Sequence, residues 1–157
     1  MMDIQPLTSR HDAALAALIR TSLKAYRLDI PGTAYYDQSL DHLSAFYTRP
    51  GRAYYVLLEN GEVIGGIGLA EFDGACCELQ KLYLADAAKG KGTGYKMIRF
   101  IEEKAREMGY RRIYLETHTN LRAAIHIYEK SGYREIPKPP AVIHSAMNRF
   151  YLKELPA

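Results

Sequence analysis

A glycine-rich run, Lys89-Gly90-Lys91-Gly92-Thr93-Gly94, follows a strand-like segment, Glu78 to Leu84, and opens a strongly amphipathic helix reaching about Met108. Residues of these types in this place can cradle an anion. Without a Cβ at 90, 92 and 94 the backbone can turn tightly and bring its N–H groups close to a ligand. The helix that starts there adds unpaired N–H donors and the positive end of its dipole, which favour a bound pyrophosphate. Lys89 and Lys91 supply mobile positive charge. A dinucleotide fingerprint G-x-G-x-x-G read from Gly90 requires Gly or Ala at Tyr95, and read from Gly92 it requires one at Met97. A Walker loop requires Gly-Lys followed by Ser or Thr, whereas Lys91 is followed by Gly92. Both patterns fail. On these residues alone, a turn that merely joins strand to helix stands beside the anion site.

With its flanks the loop resembles the acyl-CoA-binding core of the GNAT superfamily of N-acetyltransferases, whose signature is Arg/Gln-x-x-Gly-x-Gly/Ala at a strand-to-helix junction. Lys89 takes the Arg/Gln place, and Gly92 and Gly94 take the glycine places. Glu78-Leu79-Gln80-Lys81-Leu82-Tyr83-Leu84 is similar to the family's central strand, and Ala124-Ile125-His126-Ile127-Tyr128-Glu129-Lys130-Ser131-Gly132-Tyr133 matches its late helix motif, Ala-Ile-x-Leu-Tyr-Glu-Lys-x-Gly-Phe. The resemblance spans nearly the whole chain. It implies a GNAT fold of the α/β (α+β) class over residues 1–157 as a single domain: a mixed central β-sheet flanked by helices, with a splayed central strand that binds acyl-CoA. It also implies acetyl-CoA as co-substrate and direct acetyl transfer to a primary amine of a small molecule or amino acid. A protein or peptide acceptor, and a non-catalytic acyl-CoA sensor, are the other readings on the same scaffold.

The resemblance carries roles to particular positions. The cofactor would meet the backbone of Leu82, Tyr83 and Leu84, one N–H of which would face the acetyl oxygen, and the cradle of Lys89, Gly90, Lys91, Gly92, Thr93, Gly94 and Tyr95. Tyr128 stands where the family places a tyrosine near the CoA sulfur, and a phenol suits donation to a departing thiolate; its place on an apolar face also fits a core residue. An ammonium has no lone pair, so a base must take its proton before attack. Glu78 is the first candidate, a surface carboxylate being the alternative, and His118 and His144 have suitable intrinsic pKa values. Many family members carry Asn seven residues before the helix tyrosine. Here that position is Leu121, so Asn120 is either a cofactor contact or the helix N-cap. Tyr35, Tyr36, Arg49, His144 and Asn148 are expected to line the acceptor pocket, with Arg49 able to hold a carboxylate.

Composition agrees with one compact domain. The 157 residues are 48% hydrophobic and 25% charged, and the net charge of +3 is too small and too spread to support nucleic-acid binding. The polar start Met1-Met2-Asp3-Ile4-Gln5-Pro6 is unlike a signal peptide, and no apolar run approaches membrane-spanning length, so a cytoplasmic location without membrane contact is the expectation. Cys76 and Cys77 would point to opposite faces of an extended segment, which argues against a disulfide between them. No metal is expected, because two cysteines and the spacing of five histidines form no ligand set.

The elements that must position these groups follow from pattern. Ile4 to Leu7 reads as a first strand, and a helix with Leu15, Leu18, Ile19, Leu23 and Tyr26 on one face runs until Pro31-Gly32. A short helix carries Leu40, Leu43, Phe46 and Tyr47 and stops at Pro50-Gly51. Ala53 to Glu59 and Glu62 to Glu71 form a hairpin around Asn60-Gly61, with Glu78 to Leu84 as the next strand. Met97, Ile98, Ile101, Ala105 and Met108 make the apolar stripe of the helix after the loop, and Gly109 stops it. Arg112 to Thr117 is a strand, Leu121 to Ser131 a helix, and Arg134 to Ile136 and Met147 to Leu152 are closing strands. Phe150 and Tyr151 on the last strand are compatible with a homodimer through the late strands of the kind the family resemblance allows.

Overall fold

The computed structural model describes residues 2–142 and 144–156. In chain order the elements are β1 (Met2–Pro6), α1 (Asp12–Ala25), α2 (Leu43–Phe46), β2 (Ala53–Glu59), β3 (Glu62–Asp73), β4 (Cys76–Leu84), α3 (Thr93–Glu107), β5 (Arg112–Thr117), α4 (Arg122–Lys130), β6 (Arg134–Ile136) and β7 (Arg149–Glu154). The strands form one mixed sheet in the order β1-β2-β3-β4-β5-β7-β6. Only the β4/β5 pair is parallel. No helix among the described residues is long and apolar enough to cross a membrane.

Strand alternation builds two cores. On β2, Tyr54, Val56 and Leu58 pack with Leu15, Ile19 and Leu23 of α1, while Leu57 faces Met97, Ile98, Ile101 and Ala105 of α3 and Ile125 and Tyr128 of α4. Each fully buried Leu, Ile or Met side chain contributes about 1.5–3 kcal/mol, so the helices are held to the sheet mainly by these stripes. The hairpin turn is as its residues require: Asn60 and Gly61 both have positive φ, 52° and 82°.

Several boundaries differ from the pattern reading. β1 begins at Met2 and ends at Pro6, where its register with β2 closes at Tyr55. The second helix is a single turn of 3-10 helix, Leu40–His42, followed by α2, because Leu40 and Leu43 are both drawn fully into the core below α1. Met108 lies past the last turn of α3 and is 40% exposed. β4 starts at Cys76, two residues early, since the turn before it is made at Gly74 with φ 55°; Cys76 and Cys77 then point into different core clusters as free thiols. β7 runs from Arg149 to Glu154, and it is an interior strand between β5 and β6, with Phe150 and Tyr151 buried. These two side chains are therefore core, and the late edge of the sheet is the three-residue β6.

Candidate active site

β4 and β5 run together only from Cys76 opposite Arg112 to Glu78 opposite Tyr114. Beyond that point they part, and the gap opens at the carboxyl ends of two parallel strands, where α/β sheets take ligands. A bulge in β4 accompanies the parting. Gly66 and Gly68 of β3 pair with Tyr83 and Gln80, so Lys81 and Leu82 oppose the single residue Ile67, and Lys81 has a left-handed φ of 52°. The bulge is pinned from β2. The Tyr54 hydroxyl donates to the Lys81 carbonyl at 2.7 Å, reaching it across β3 over two glycines. A Cβ at Gly66 would stand 2.6 Å from Cε1 of that ring, and one at Gly68 would strike the same ring, so only glycine admits the crossing.

The gap continues into a cavity of about 310 Å³ that runs from the glycine loop to the acidic end of β4. At the loop end, Gly92 occupies the N-cap of α3 with φ 71° and offers no side chain, and the first helical bond at this terminus runs from the Lys96 N–H to the Gly92 carbonyl. The N–H groups of Thr93, Gly94 and Tyr95 precede it as free donors. Lys89 stands beside them, 3.2 Å from Asp86 and 3.4 Å from the Tyr26 hydroxyl. Partway along, the Tyr128 side chain faces the cavity from α4, and burial alone pushes its phenol above the ordinary range, so it holds its proton.

At the other end a run of charges surrounds Glu78, which is 7% exposed. Burial, then the neighbouring Glu116 carboxylate, pushes the Glu78 pKa up to about 7. Its Oε1 accepts from Gln80 Nε2 at 3.1 Å, and Gln80 Oε1 accepts from the Tyr47 hydroxyl at 2.7 Å. His144 Nε2 is 3.0 Å from Asp37, and its Nδ1 is 3.6 Å from Glu116. Burial disfavours the imidazolium, but the hydrogen bonds to Asp37 and Glu116 outweigh it and push His144 up to about 9. Lys81 Nζ joins Asp37 at 3.2 Å. Burial raises Asp37, yet His144 and Lys81 together hold it below its ordinary value. A buried carboxyl poised near neutral pH beside a fixed cation is the arrangement of a general base.

The profile of the Acetyltransferase (GNAT) family matches residues 17–133. This chain belongs to that family. It is 42% identical over 134 residues to the uncharacterized N-acetyltransferase YjgM of Escherichia coli (strain K12), an alignment covering 83% of this chain and 80% of that protein. Its structure matches an acetyltransferase of the GNAT family from Staphylococcus aureus Mu50 with a TM-score of 0.90 at 22% identity, over 99% of this chain and all of that one. The PaiA N-acetyltransferase of Thermoplasma acidophilum, solved in complex with coenzyme A, matches with a TM-score of 0.77 at 18% identity over 98% of this chain and 99% of its own. The GNAT fold expected from the two motifs is the fold observed, and the chain is an acyltransferase of the N-acetyltransferase kind.

The GNAT cavity gathers many of the side chains marked in the sequence: Glu78, Leu82, Tyr83, Leu84, Lys89, Gly90, Gly92, Thr93, Gly94, Tyr95, Tyr128 and His144 all line it. Others lie apart from its lining. Lys91 is exposed. Asn120 neither caps α4, whose N-cap is Leu121, nor lines the cavity; its amide donates to the Tyr26 carbonyl at 2.9 Å. Arg49 is exposed on a turn closed by its carbonyl and the Arg52 N–H. Tyr35 and Tyr36 pack against each other at 5.2 Å, Tyr36 being 60% exposed, and it is Thr33 and Ala34 from that loop that line the cavity. Asn148 holds the Thr119 N–H and leaves the lining to Met147. His118 accepts from the Asn120 N–H outside the cavity, and His144 lies in the cavity, bonded to Asp37, which favours its imidazolium.

Pattern reading missed Asp37, Gln80, Lys81 and Glu116. Gln80 had a signal, since it shares the face of Glu78 two residues on in an extended strand. Glu116 had one as well, near the end of the strand parallel to β4. Asp37 had none, because its partners come from β4 and from a loop 107 residues later.

Proposed function

We propose that this protein transfers the acetyl group of acetyl-CoA directly to a primary amine of a small molecule, amino acids included. One observation carries the reading: a single cavity joins the free N–H groups at the start of α3, the parted edge of β4 and the buried Glu78 carboxyl. In this reading the N–H groups of Thr93, Gly94 and Tyr95, with Lys89, hold the pyrophosphate of the cofactor. The backbone of Leu82 to Leu84 runs along the pantetheine arm and offers an N–H to the acetyl oxygen as it becomes an oxyanion. Glu78 takes a proton from the acceptor ammonium, directly or through water, and frees the lone pair for attack on the thioester carbonyl. The C–S bond then breaks as Tyr128, a neutral donor throughout the working pH range, gives its proton to the departing sulfur, and the second proton shed by the nitrogen as the amide forms returns to the phenol. The coenzyme A complex of the Thermoplasma relative supports the choice of donor.

The acceptor end favours a small molecule over a protein segment. The Ala146 N–H donates to the Gly32 carbonyl at 3.0 Å, and His144 bonds Asp37 at 3.0 Å, so the loop after α1 and the loop before β7 are tied together beside Glu78. A thiol-release assay with acetyl-CoA against alkylamines, polyamines, amino acids and lysine-containing peptides tests the proposal. Turnover highest on a small amine is expected. Turnover on peptides alone transfers the reading to a peptide acetyltransferase, and acetyl-CoA binding without turnover on any acceptor overturns it in favour of a sensor.

A further inference from the structure

The groups facing Glu78 come from three directions: Gln80 and Lys81 from its own strand, Glu116 from β5, and His144 from the loop before β7, with Tyr114 behind Glu116 at 3.0 Å. Of these, only Gln80 donates a side-chain hydrogen bond to the Glu78 carboxyl among the described residues. An amide is ambivalent, since either its N–H or its carbonyl can face a neighbour. What sets its sense here is Tyr47. That residue follows α2 and is 7% exposed, with its ring 4.9 Å from Phe46 and 5.1 Å from Tyr54, and its hydroxyl donates to Gln80 Oε1 at 2.7 Å. A reversed amide would place two N–H donors against the hydroxyl and leave the buried phenolic proton without its acceptor, which is costly.

We propose that Tyr47 and Gln80 are positioning residues for the base: Tyr47 fixes the Gln80 amide so that its N–H occupies Oε1 of Glu78, leaving Oε2 to take the acceptor proton. The inference rests on the reading of Glu78 as the base, and it deepens that reading by naming which oxygen acts and what holds it. In Tyr47→Phe the ring and its stacking are kept and only the donor is lost. The amide is then free to turn, and once Glu78 is protonated its carbonyl accepts from the acid, which favours the protonated form over the carboxylate.

The acidic limb of kcat/KM against pH should therefore move up by about one pH unit in Tyr47→Phe, so that activity lost near pH 6.5 returns above pH 8.5. Gln80→Leu, which removes the donor outright, should move the limb in the same direction. A uniform loss of activity at all pH values, with the limb unmoved, marks a packing role and overturns the proposal. Carbon-13 NMR of carboxyl-labelled glutamate, with the Glu78 signal assigned from Glu78→Gln, reads the same shift without turnover. If no amine is acetylated by the native protein, the functional reading fails while this titration still decides the positioning of Glu78. Should Tyr47→Phe not fold, an unmoved Glu78 titration in Gln80→Leu overturns the proposal by itself.

Discussion

A carboxyl buried so that it titrates near neutral pH weakens the fold that holds it, and Glu78→Gln should expose that cost. The Glu78 carboxyl titrates at about 7 in the folded protein against an ordinary value of 4.5. Because the folded-state pKa is raised, the unfolded chain releases the proton first. The stabilisation is therefore whole below pH 4.5 and is lost as pH rises to about 7. The full difference corresponds to about 3 kcal/mol. Glutamine keeps the size of the side chain and an acceptor for Gln80 but cannot ionise. Urea unfolding of both proteins at pH 5 and pH 8.5 should show the variant gaining about 2–3 kcal/mol relative to native over that interval. His144, whose stabilisation is present below pH 6.5 and lost as pH rises through about 9, stands in both proteins, so the difference reports Glu78 together with its coupling to His144. The same variant should lose the acidic limb of its turnover profile together with most of its activity. A constant stability difference across the pH range, or native protein gaining on the variant as pH rises, would refute the assignment of a buried, raised carboxyl.

Three further outcomes follow from the same geometry. Gly92→Ala places a Cβ at φ 71° with nothing within 4 Å, so it should cost about 1–2 kcal/mol through backbone conformation alone and weaken acetyl-CoA binding by calorimetry; native affinity would count against the cradle. Tyr128→Phe should lower kcat while leaving acetyl-CoA affinity unchanged, and native kcat would remove the phenol from the chemistry. Asp37→Asn takes the shared partner from Lys81 and His144. It should lower the His144 pKa from about 9 as followed by proton NMR, and destabilise the protein by about 2 kcal/mol at neutral pH; an unmoved imidazole titration would deny that Asp37 sets it.

What could be read without the fold was whatever depends on near neighbours in the chain. The Lys89 to Gly94 loop is legible because glycine conformation and a helix N-terminus are local properties, and the hairpin at Asn60-Gly61 is legible for the same reason. The stripe of α3 follows from a 3.6-residue period that any core-facing helix must show. The placement of isolated polar residues was not legible in this way. Arg49 and Asn120 have the right chemistry for a ligand, but the folded chain spends the Asn120 amide on the Tyr26 carbonyl and turns Arg49 to solvent. Near-neighbour pattern says nothing of either outcome.

By itself, then, the sequence determined the family, the order of elements and the glycine loop at the start of α3, because each rests on contiguous residues or on periodicity. Only the tertiary structure decided the chemistry at the far end of the cavity. The Glu78 carboxyl is pushed up to about 7 because packing buries it beside Glu116, and the His144 imidazolium is favoured because Asp37 and Glu116 flank it. The parting of β4 from β5 comes with a bulge that Tyr54 pins across two glycines of the strand between. Burial and charge act through space, and a chain read one residue after another does not contain the distances on which they depend.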